Sequence, residues 1–379
     1  MRIAIVTESF LPSLNGVTTS VCRILDELAI HGHEAIVIAP SPAPSSYRGF
    51  TIHPVASLPV RQFQVGLPTG EIETILAGFR PDVVHAASPF VLGARGITAA
   101  RSLGIPCVAI YQTDMASYVQ QHGGPAGKAG ARATWRYLRW VHWMPDLNLA
   151  PSSSALDDLA AAGIGRTALW GRGVDANLFH PSWRDDAGTR ALRRQLAPRG
   201  ETIIGYVGRL APEKELNRLV PVADLPGVVL AIVGDGPARA ELGSLLPSAT
   251  FLGRREGDDL ARAYAAADVF VHTGTHETFG QTIQEAAATG LPVVAPRAGG
   301  PIDLVDHGRT GLLFDPDATS GPESLTAHVA SLTTAEDAWE RRALMGEAAR
   351  VHVAPRSWSS LVGMLLGYYE SVCRTAAAA

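Results

Sequence analysis

Short β-rich runs bounded by Gly or Pro alternate with helical patterns along this chain, and the alternation starts twice. Residues 2–6, 34–39, 83–85, 107–111 and 147–150 read as buried parallel strands, because each is brief and largely apolar. Between the first two, Val17, Val21, Ile24, Leu25 and Leu28 recur at helical spacing and Gly32 closes the segment. Strand, crossover helix and strand make the βαβ unit of an open parallel sheet. After a polar stretch at 182–200 the pattern restarts, with strands at 203–207, 229–233, 269–271 and 292–295. The reading is an α/β chain of two Rossmann-like, doubly wound domains, residues 1–170 and 171–356, facing each other across a cleft. Ligands of such sheets sit beyond the carboxyl ends of the strands, so the cleft is the expected site.

The length of 379 residues suits about two domains. With 46% hydrophobic and 18% charged residues, the chain can fill packed cores and is not of the disordered class. A net charge of −4 gives no global attraction to nucleic acid or to an anionic bilayer, so no nucleic-acid partner is expected. The three cysteines, Cys22, Cys107 and Cys373, are far apart and form neither a disulfide framework nor a metal cluster. The first ten residues do not read as a signal peptide, since the apolar run spans only residues 3–6 before Thr7, Glu8 and Ser9. No stretch approaches about 18 apolar residues, the length a membrane-spanning helix needs. The expected location is cytoplasmic.

Three segments at strand ends carry chemistry. Asn15-Gly16-Val17 opens the first helix, where free N–H groups and the helix dipole favour a phosphate and Gly allows close approach. The dinucleotide fingerprint is missing, and Ala39-Pro40 stands where an acidic residue would end the second strand, which argues against a NAD-dependent oxidoreductase. Gly208-Arg209-Leu210-Ala211-Pro212-Glu213-Lys214 follows the strand at 203–207; a guanidinium fork and an ammonium there can converge on one dianion. Glu277-Thr278-Phe279-Gly280-Gln281-Thr282-Ile283-Gln284-Glu285 enters a helix expected to run to about Thr289 and to end at Gly290. If helical throughout, the two glutamates would be about 12 Å apart, against the roughly 5–9.5 Å of a hydrolase pair. That separation suits opposite ends of one ligand, each carboxylate accepting from sugar hydroxyls. Phe279, Gly280 and Gln281 would offer backbone N–H groups at the helix start.

Taken together, Asn15-Gly16-Val17, Gly173-Val174-Asp175 followed by Phe179, Gly208-Arg209 with Lys214, Gly234-Asp235-Gly236-Pro237 and Glu277 with Glu285 make the chain resemble glycosyltransferase family 4, in family order over residues 1 to about 315. Tyr111-Gln112-Thr113-Asp114, Arg172-Gly173-Val174-Asp175 and His276-Glu277-Thr278-Phe279 bring it nearest to GDP-mannose-dependent α-mannosyltransferases that act on glycolipids, the phosphatidylinositol mannosyltransferase-like group. The resemblance implies the two-domain GT-B architecture, retention of anomeric configuration, a nucleotide-sugar donor and no metal or other cofactor. It implies that Arg209 and Lys214 hold the donor diphosphate and that Glu277 binds hydroxyls of the donor sugar, aided by the backbone of Phe279, Gly280, Gln281 and Thr282. Glu285 would take the ribose hydroxyls, and Gly16 would admit the phosphates. Many members carry a His where this chain has Gln112-Thr113-Asp114; Asp114 either substitutes for it or caps the following helix. Residues 357–379 would cross back onto the first domain, with an amphipathic helix at 358–373 and a disordered tail at 376–379. Retention in this family is explained by same-face attack, the leaving phosphate taking the proton of the acceptor.

Residues 128–144 add a basic, Trp-rich helix: Lys128, Arg132, Arg136 and Arg139, without an acid, interleave with Trp135, Tyr137, Leu138, Trp140, Val141, Trp143 and Met144. That composition suits an interfacial helix at the inner face of a membrane, and equally a core helix whose arginines face water. Arg254 and Arg255, after the strand near Phe251, would lie by the nucleotide base. The leading reading is transfer of mannose from GDP-mannose to a lipid-linked or glycolipid acceptor. The alternatives are a UDP-hexose-dependent glycosyltransferase and a sugar-nucleotide-binding protein with impaired catalysis.

Overall fold

The computed structural model describes residues 1–13, 15–60, 63–67, 70–88, 90–112 and 127–378. They form two compact units, Met1–Arg172 with Trp358–Ala379, and Gly173–Ser357.

The first unit is built from β1 (Arg2–Val6), α1 (Gly16–Ile30), β2 (Glu34–Pro40), β3 (Ser46–Tyr47), β4 (Phe50–Val55), the hairpin β5 (Ser57–Val60) and β6 (Phe63–Gly66), α2 (Glu71–Phe79), β7 (Val83–Ala86), α3 (Val91–Ser102), β8 (Cys107–Ile110), α4 (Gly127–His142), β9 (Leu147–Ala150) and β10 (Thr167–Leu169). Among the described residues its main sheet runs β10-β9-β8-β7-β1-β2-β4-β3. All pairs are parallel except β3–β4. Ile3 to Val6 are fully buried, as a central parallel strand covered on both faces requires. Helix α1 buries Val21, Ile24, Leu25 and Leu28, and the Asn15 side chain caps it by accepting from the N–H groups of Val17 and Thr18.

The C-terminal helix, Trp358–Ala378, belongs to this unit. Leu361, Val362, Leu365, Tyr369 and Val372 join the core that contains Ile3, Ile5 and Leu25. Trp170 donates its indole N–H to the carbonyl of Leu361 at 2.8 Å, and the Tyr369 hydroxyl lies 2.7 Å from Nδ1 of buried His85. The tail expected to be disordered is instead helical through Ala378. Alanine has the highest helix propensity, so the helix continues past its last packed residue.

The second unit carries β11 (Thr202–Val207), β12 (Val228–Val233), β13 (Thr250–Gly253), α5 (Gly257–Ala266), β14 (Val269–Val271), α6 (Gln281–Ala288), β15 (Val293–Pro296) and β16 (Gly311–Phe314). The described strands form one wholly parallel sheet in the order β13-β12-β11-β14-β15-β16. Strand order reverses between β11 and β14, and the loops leaving these two strands at their carboxyl ends therefore flank a crevice. In the first unit the reversal lies between β1 and β7, so the segment from Thr7 to Gly16 starts at the equivalent position.

Candidate active site

The loop after β11 contains Arg209 and Lys214, and the loop after β14 contains Glu277. Lys214 Nζ donates to Glu277 Oε2 at 2.6 Å, with the side chains 25% and 20% exposed. The pair is neither fully buried nor fully solvated, so it is both electrostatically significant and reachable by a ligand. Arg209 does not share that partner; its guanidinium pairs with Glu213. The two cations that sequence spacing brings toward one dianion are thus each held by a carboxylate.

Two threonines that the sequence did not single out bind these loops together. Thr273 Oγ1 donates to the carbonyl of Lys214 at 2.6 Å, and Thr275 Oγ1 donates to Glu215 Oε1 at 2.6 Å. The same carboxylate receives Arg218 Nε at 2.6 Å. Glu215 has φ 51°, a left-handed conformation that costs a non-glycine residue about 1–2 kcal/mol, and its two side-chain bonds hold it there. The backbone of Glu277 is fixed separately, its carbonyl accepting from Gly300 N–H at 2.7 Å.

Helix α6 begins later than sequence spacing suggests. Residues 277–280 are loop, and only Gln281–Ala288 are helical, so the helical rise assumed between Glu277 and Glu285 holds for its second half alone. Gly280 has φ 103°, open to glycine and strained for a side chain, and no side chain caps the helix. Phe279 is buried beneath this turn, and Gln281 donates to the carbonyl of Gly173 at 3.1 Å. The N–H groups at Gln281 and Thr282 open the first turn, where helices lack internal acceptors.

One turn further, Glu285 accepts from the Tyr264 hydroxyl at 2.7 Å. Burial pushes its carboxyl up to about 7, against the opposing hydrogen bonds of Tyr264 and Gln281. Tyr264 itself is buried between Phe179 and Phe270, and burial raises its phenol well above the ordinary value. Arg255 donates Nε to the carbonyl of Leu252 at 3.0 Å and faces a cavity lined also by Asp186, Asp259 and Arg262. Arg254 pairs with Glu256 on the surface.

In the first unit, Gly16 starts α1 against Arg172. A Cβ at position 16 would stand 2.4 Å from Arg172 Nη1, and Arg172 Nη2 donates to Gln112 Oε1 at 3.0 Å. Gln112 is buried and donates to the carbonyl of Ala87. Thr113 and Asp114 lie outside the described residues.

Comparison with known proteins settles what kind of enzyme carries these loops. The description Glycosyltransferase Family 4 matches residues 14–178, and Glycosyl transferases group 1 matches residues 189–352. A GDP-mannose-dependent alpha-mannosyltransferase of Mycolicibacterium smegmatis is 48% identical over 381 residues, with 98% of each chain covered. One of the same name from Mycobacterium tuberculosis is 47% identical, covering 98% of this chain and 97% of its own. The chain belongs to glycosyltransferase family 4. Among solved structures, sucrose-phosphate synthase from Thermosynechococcus elongatus superposes with a TM-score of 0.79 at 21% identity over 99% of both chains, which makes the fold GT-B.

Within that family frame, the sequence singled out the loops that bear Arg209, Lys214 and Glu277 and the helix that bears Glu285. It did not reveal Tyr264, Thr273 or Thr275, whose roles depend on contacts between segments. A Tyr inside a helical apolar pattern carries no signal that its hydroxyl meets a carboxylate 21 residues away.

Proposed function

We propose that this family 4 enzyme transfers mannose from GDP-mannose, with retention of configuration, to a lipid-linked or glycolipid acceptor at the cytoplasmic face of a membrane. The observation that carries the reading is the Lys214–Glu277 pair at the switch point of the second sheet, in a chain 48% identical to a GDP-mannose-dependent alpha-mannosyltransferase. Lys214 and Arg209 supply positive charge for the donor diphosphate. Glu277 accepts hydrogen bonds from mannose hydroxyls, and Glu285 accepts those of the ribose.

Breaking the bond between the anomeric carbon and the diphosphate oxygen places negative charge on the leaving group. Cations fixed there strengthen their interaction as the charge develops, which is where catalysis is gained. Arg209 and Lys214 meet that charge, so no metal is required in this scheme. The acceptor hydroxyl attacks the face the diphosphate leaves, its oxygen forming the new glycosidic bond. Its proton passes to the departing phosphate.

Helix α4 supports a lipid acceptor. Arg132, Arg136, Trp140 and Trp143 are exposed and recur at three- and four-residue spacing on one face, while Leu138 and Val141 are buried on the other. Trp140 and Trp143 are 55% and 66% exposed, more than packing of a core helix would leave. The side chain of Lys128 lies outside the described residues. No helix among the described residues is long and apolar enough to cross a membrane, so contact through α4 would be peripheral.

A thermal-shift panel of GDP, UDP, GDP-mannose and UDP-glucose tests the donor. A ligand at about 100 times its dissociation constant stabilises by about 2.7 kcal/mol, and the largest shifts should come from GDP and GDP-mannose. A response to uridine nucleotides alone would replace the donor, and silence toward all four would remove the enzyme reading. The anomeric coupling in the NMR spectrum of the product tests retention.

A further inference from the structure

Tyr264 lies on α5 and is 1% exposed, its ring edge-on to Phe179 at 5.4 Å and tilted against Phe270 at 5.6 Å. Phenylalanine would fill that space without any polar group to satisfy, whereas a buried phenol needs a partner for its hydroxyl. The partner is on α6: the hydroxyl donates to Oε2 of Glu285 at 2.7 Å. Glu285 is partly exposed. A ligand can therefore reach this residue, but not the ring behind it.

Two side chains hold this carboxylate. Gln281, one turn earlier on α6, hydrogen-bonds Glu285, and its Nε2 also donates to the carbonyl of Gly173. Gln281 moves with the helix that carries Glu285, whereas Tyr264 ties the carboxylate to a different element. Burial raises the Tyr264 phenol well above its ordinary value, and the neighbouring Glu285 charge adds to the rise, so the hydroxyl keeps its proton and donates. An ionised carboxylate offers about four lone-pair positions, so these two partners leave room for further donors. A carboxylate already fixed when the ligand arrives has less conformational freedom to lose on binding.

On the reading given above, Glu285 takes the ribose hydroxyls of the donor, and the role of Tyr264 rests on that reading. We propose that Tyr264 is a positioning residue for Glu285 that sets the preference for an intact ribose, pinning Oε2 so that the carboxylate faces the vicinal 2′- and 3′-hydroxyls together. A deoxyribose leaves that prepared acceptor unsatisfied, whereas a carboxylate free to turn finds water instead. The phenol acts only through Glu285 and touches no nucleotide.

Titration calorimetry with GDP and with 2′,3′-dideoxy-GDP compares wild type, Y264F, E285A and the double variant Y264F with E285A. Wild type should bind GDP about ten-fold or more tightly than dideoxy-GDP, as for loss of one hydrogen bond to a charged group. In Y264F that preference should fall to about three-fold or less, with dideoxy-GDP bound within about two-fold of wild type. In E285A the preference should vanish, and adding Y264F should weaken GDP no further, because residues that act as one unit are not additive. A wild-type preference in Y264F overturns the Tyr264 assignment. So does an equal loss of affinity for both nucleotides, the result of a merely structural role, or a further loss of GDP affinity on adding Y264F to E285A. If Y264F does not fold, Y264M, which also lacks a donor, takes its place under the same criteria. Wild type that binds the two nucleotides equally, or binds neither, overturns the ribose reading of Glu285 itself, whereas a wild-type preference that survives Y264F overturns the Tyr264 assignment alone.

Discussion

Nζ of Lys214 and Oε2 of Glu277 stand 2.6 Å apart, joining the two loops that leave the second sheet where its strand order reverses. A cation suited to a leaving diphosphate and a carboxylate suited to sugar hydroxyls are thereby neighbours. Their partial exposure means that a ligand can separate them without opening the core.

If Lys214 and Arg209 meet charge that develops on the leaving group, each acts more strongly in the transition state than in the ground state. Lys214→Ala and Arg209→Ala should each lower kcat by about 10²–10³, or about 3–4 kcal/mol, the cost of losing one preorganised donor. Both side chains are partly solvated, so thermal stability should change little. Near-normal turnover in both variants would remove the assignment.

Glu285 links pH to stability. Its carboxyl is raised from 4.5 to about 7 by burial, so the folded protein holds that proton more tightly than the unfolded chain does. The stabilising contribution is complete below about pH 4.5 and is lost as pH climbs through about 7. Glu285→Gln cannot lose a proton, and its Tm relative to wild type should therefore be higher at pH 8 than at pH 5. Calorimetry at the two pH values decides; an equal difference at both would show that Glu285 does not titrate in this window.

Gly16 separates function from folding. A methyl at this position would press on the guanidinium of Arg172 at 2.4 Å, the flexible end of a side chain, while alanine is at least as favourable as glycine in a helix. Gly16→Ala should keep or slightly raise Tm and still lose activity about ten-fold or more, because its methyl stands where a phosphate would approach the helix start. Full activity would show that no phosphate comes near that turn.

The C-terminal helix is held by polar as well as apolar contacts. Tyr369 and His85 are both fully buried, and Tyr369→Phe leaves Nδ1 of His85 without its partner at 2.7 Å. The expected cost is about 1–3 kcal/mol, read as a lower urea midpoint with an unchanged m-value. An unaltered midpoint would mean that the hydrogen bond contributes nothing.

Much of this architecture was legible because central parallel strands are continuous apolar runs. Residues 2–6, 147–150 and 269–271 coincide with β1, β9 and β14, which are buried on both faces. The missed strands lack that signature. β10 is three residues long at the sheet edge and mostly exposed, β4 alternates buried and exposed positions and contains Pro54, and β16 is a four-residue Gly-Leu-Leu-Phe run without a β-branched residue. The site shows the same division. Arg209, Lys214, Glu277 and Glu285 stand at offsets from strand ends that a linear pattern can single out as candidates. Their partners Tyr264, Thr273 and Thr275 are fixed by contacts between separate segments, which a linear pattern does not encode.

Helix α4 gives the last prediction. Arg132 and Arg136 are exposed beside Trp140 and Trp143, whereas Arg139 donates Nε to the carbonyl of Ala162 at 2.8 Å. Replacing Arg139 would therefore disturb packing as well as charge, and the clean test uses the other two. Each basic residue near an anionic surface contributes about 1 kcal/mol, so Arg132→Ala with Arg136→Ala should weaken binding to phosphatidylserine or phosphatidylinositol vesicles by about 30-fold. The loss should shrink as salt rises, because the interaction is screened within a Debye length of about 10 Å at 0.1 M. Trp140→Ala with Trp143→Ala should weaken binding at every salt concentration, since that part is burial of aromatic surface. GDP affinity should stay at the wild-type value in both pairs. Vesicle binding unchanged in both would leave α4 as a solvent-facing helix and return the question of where the acceptor docks.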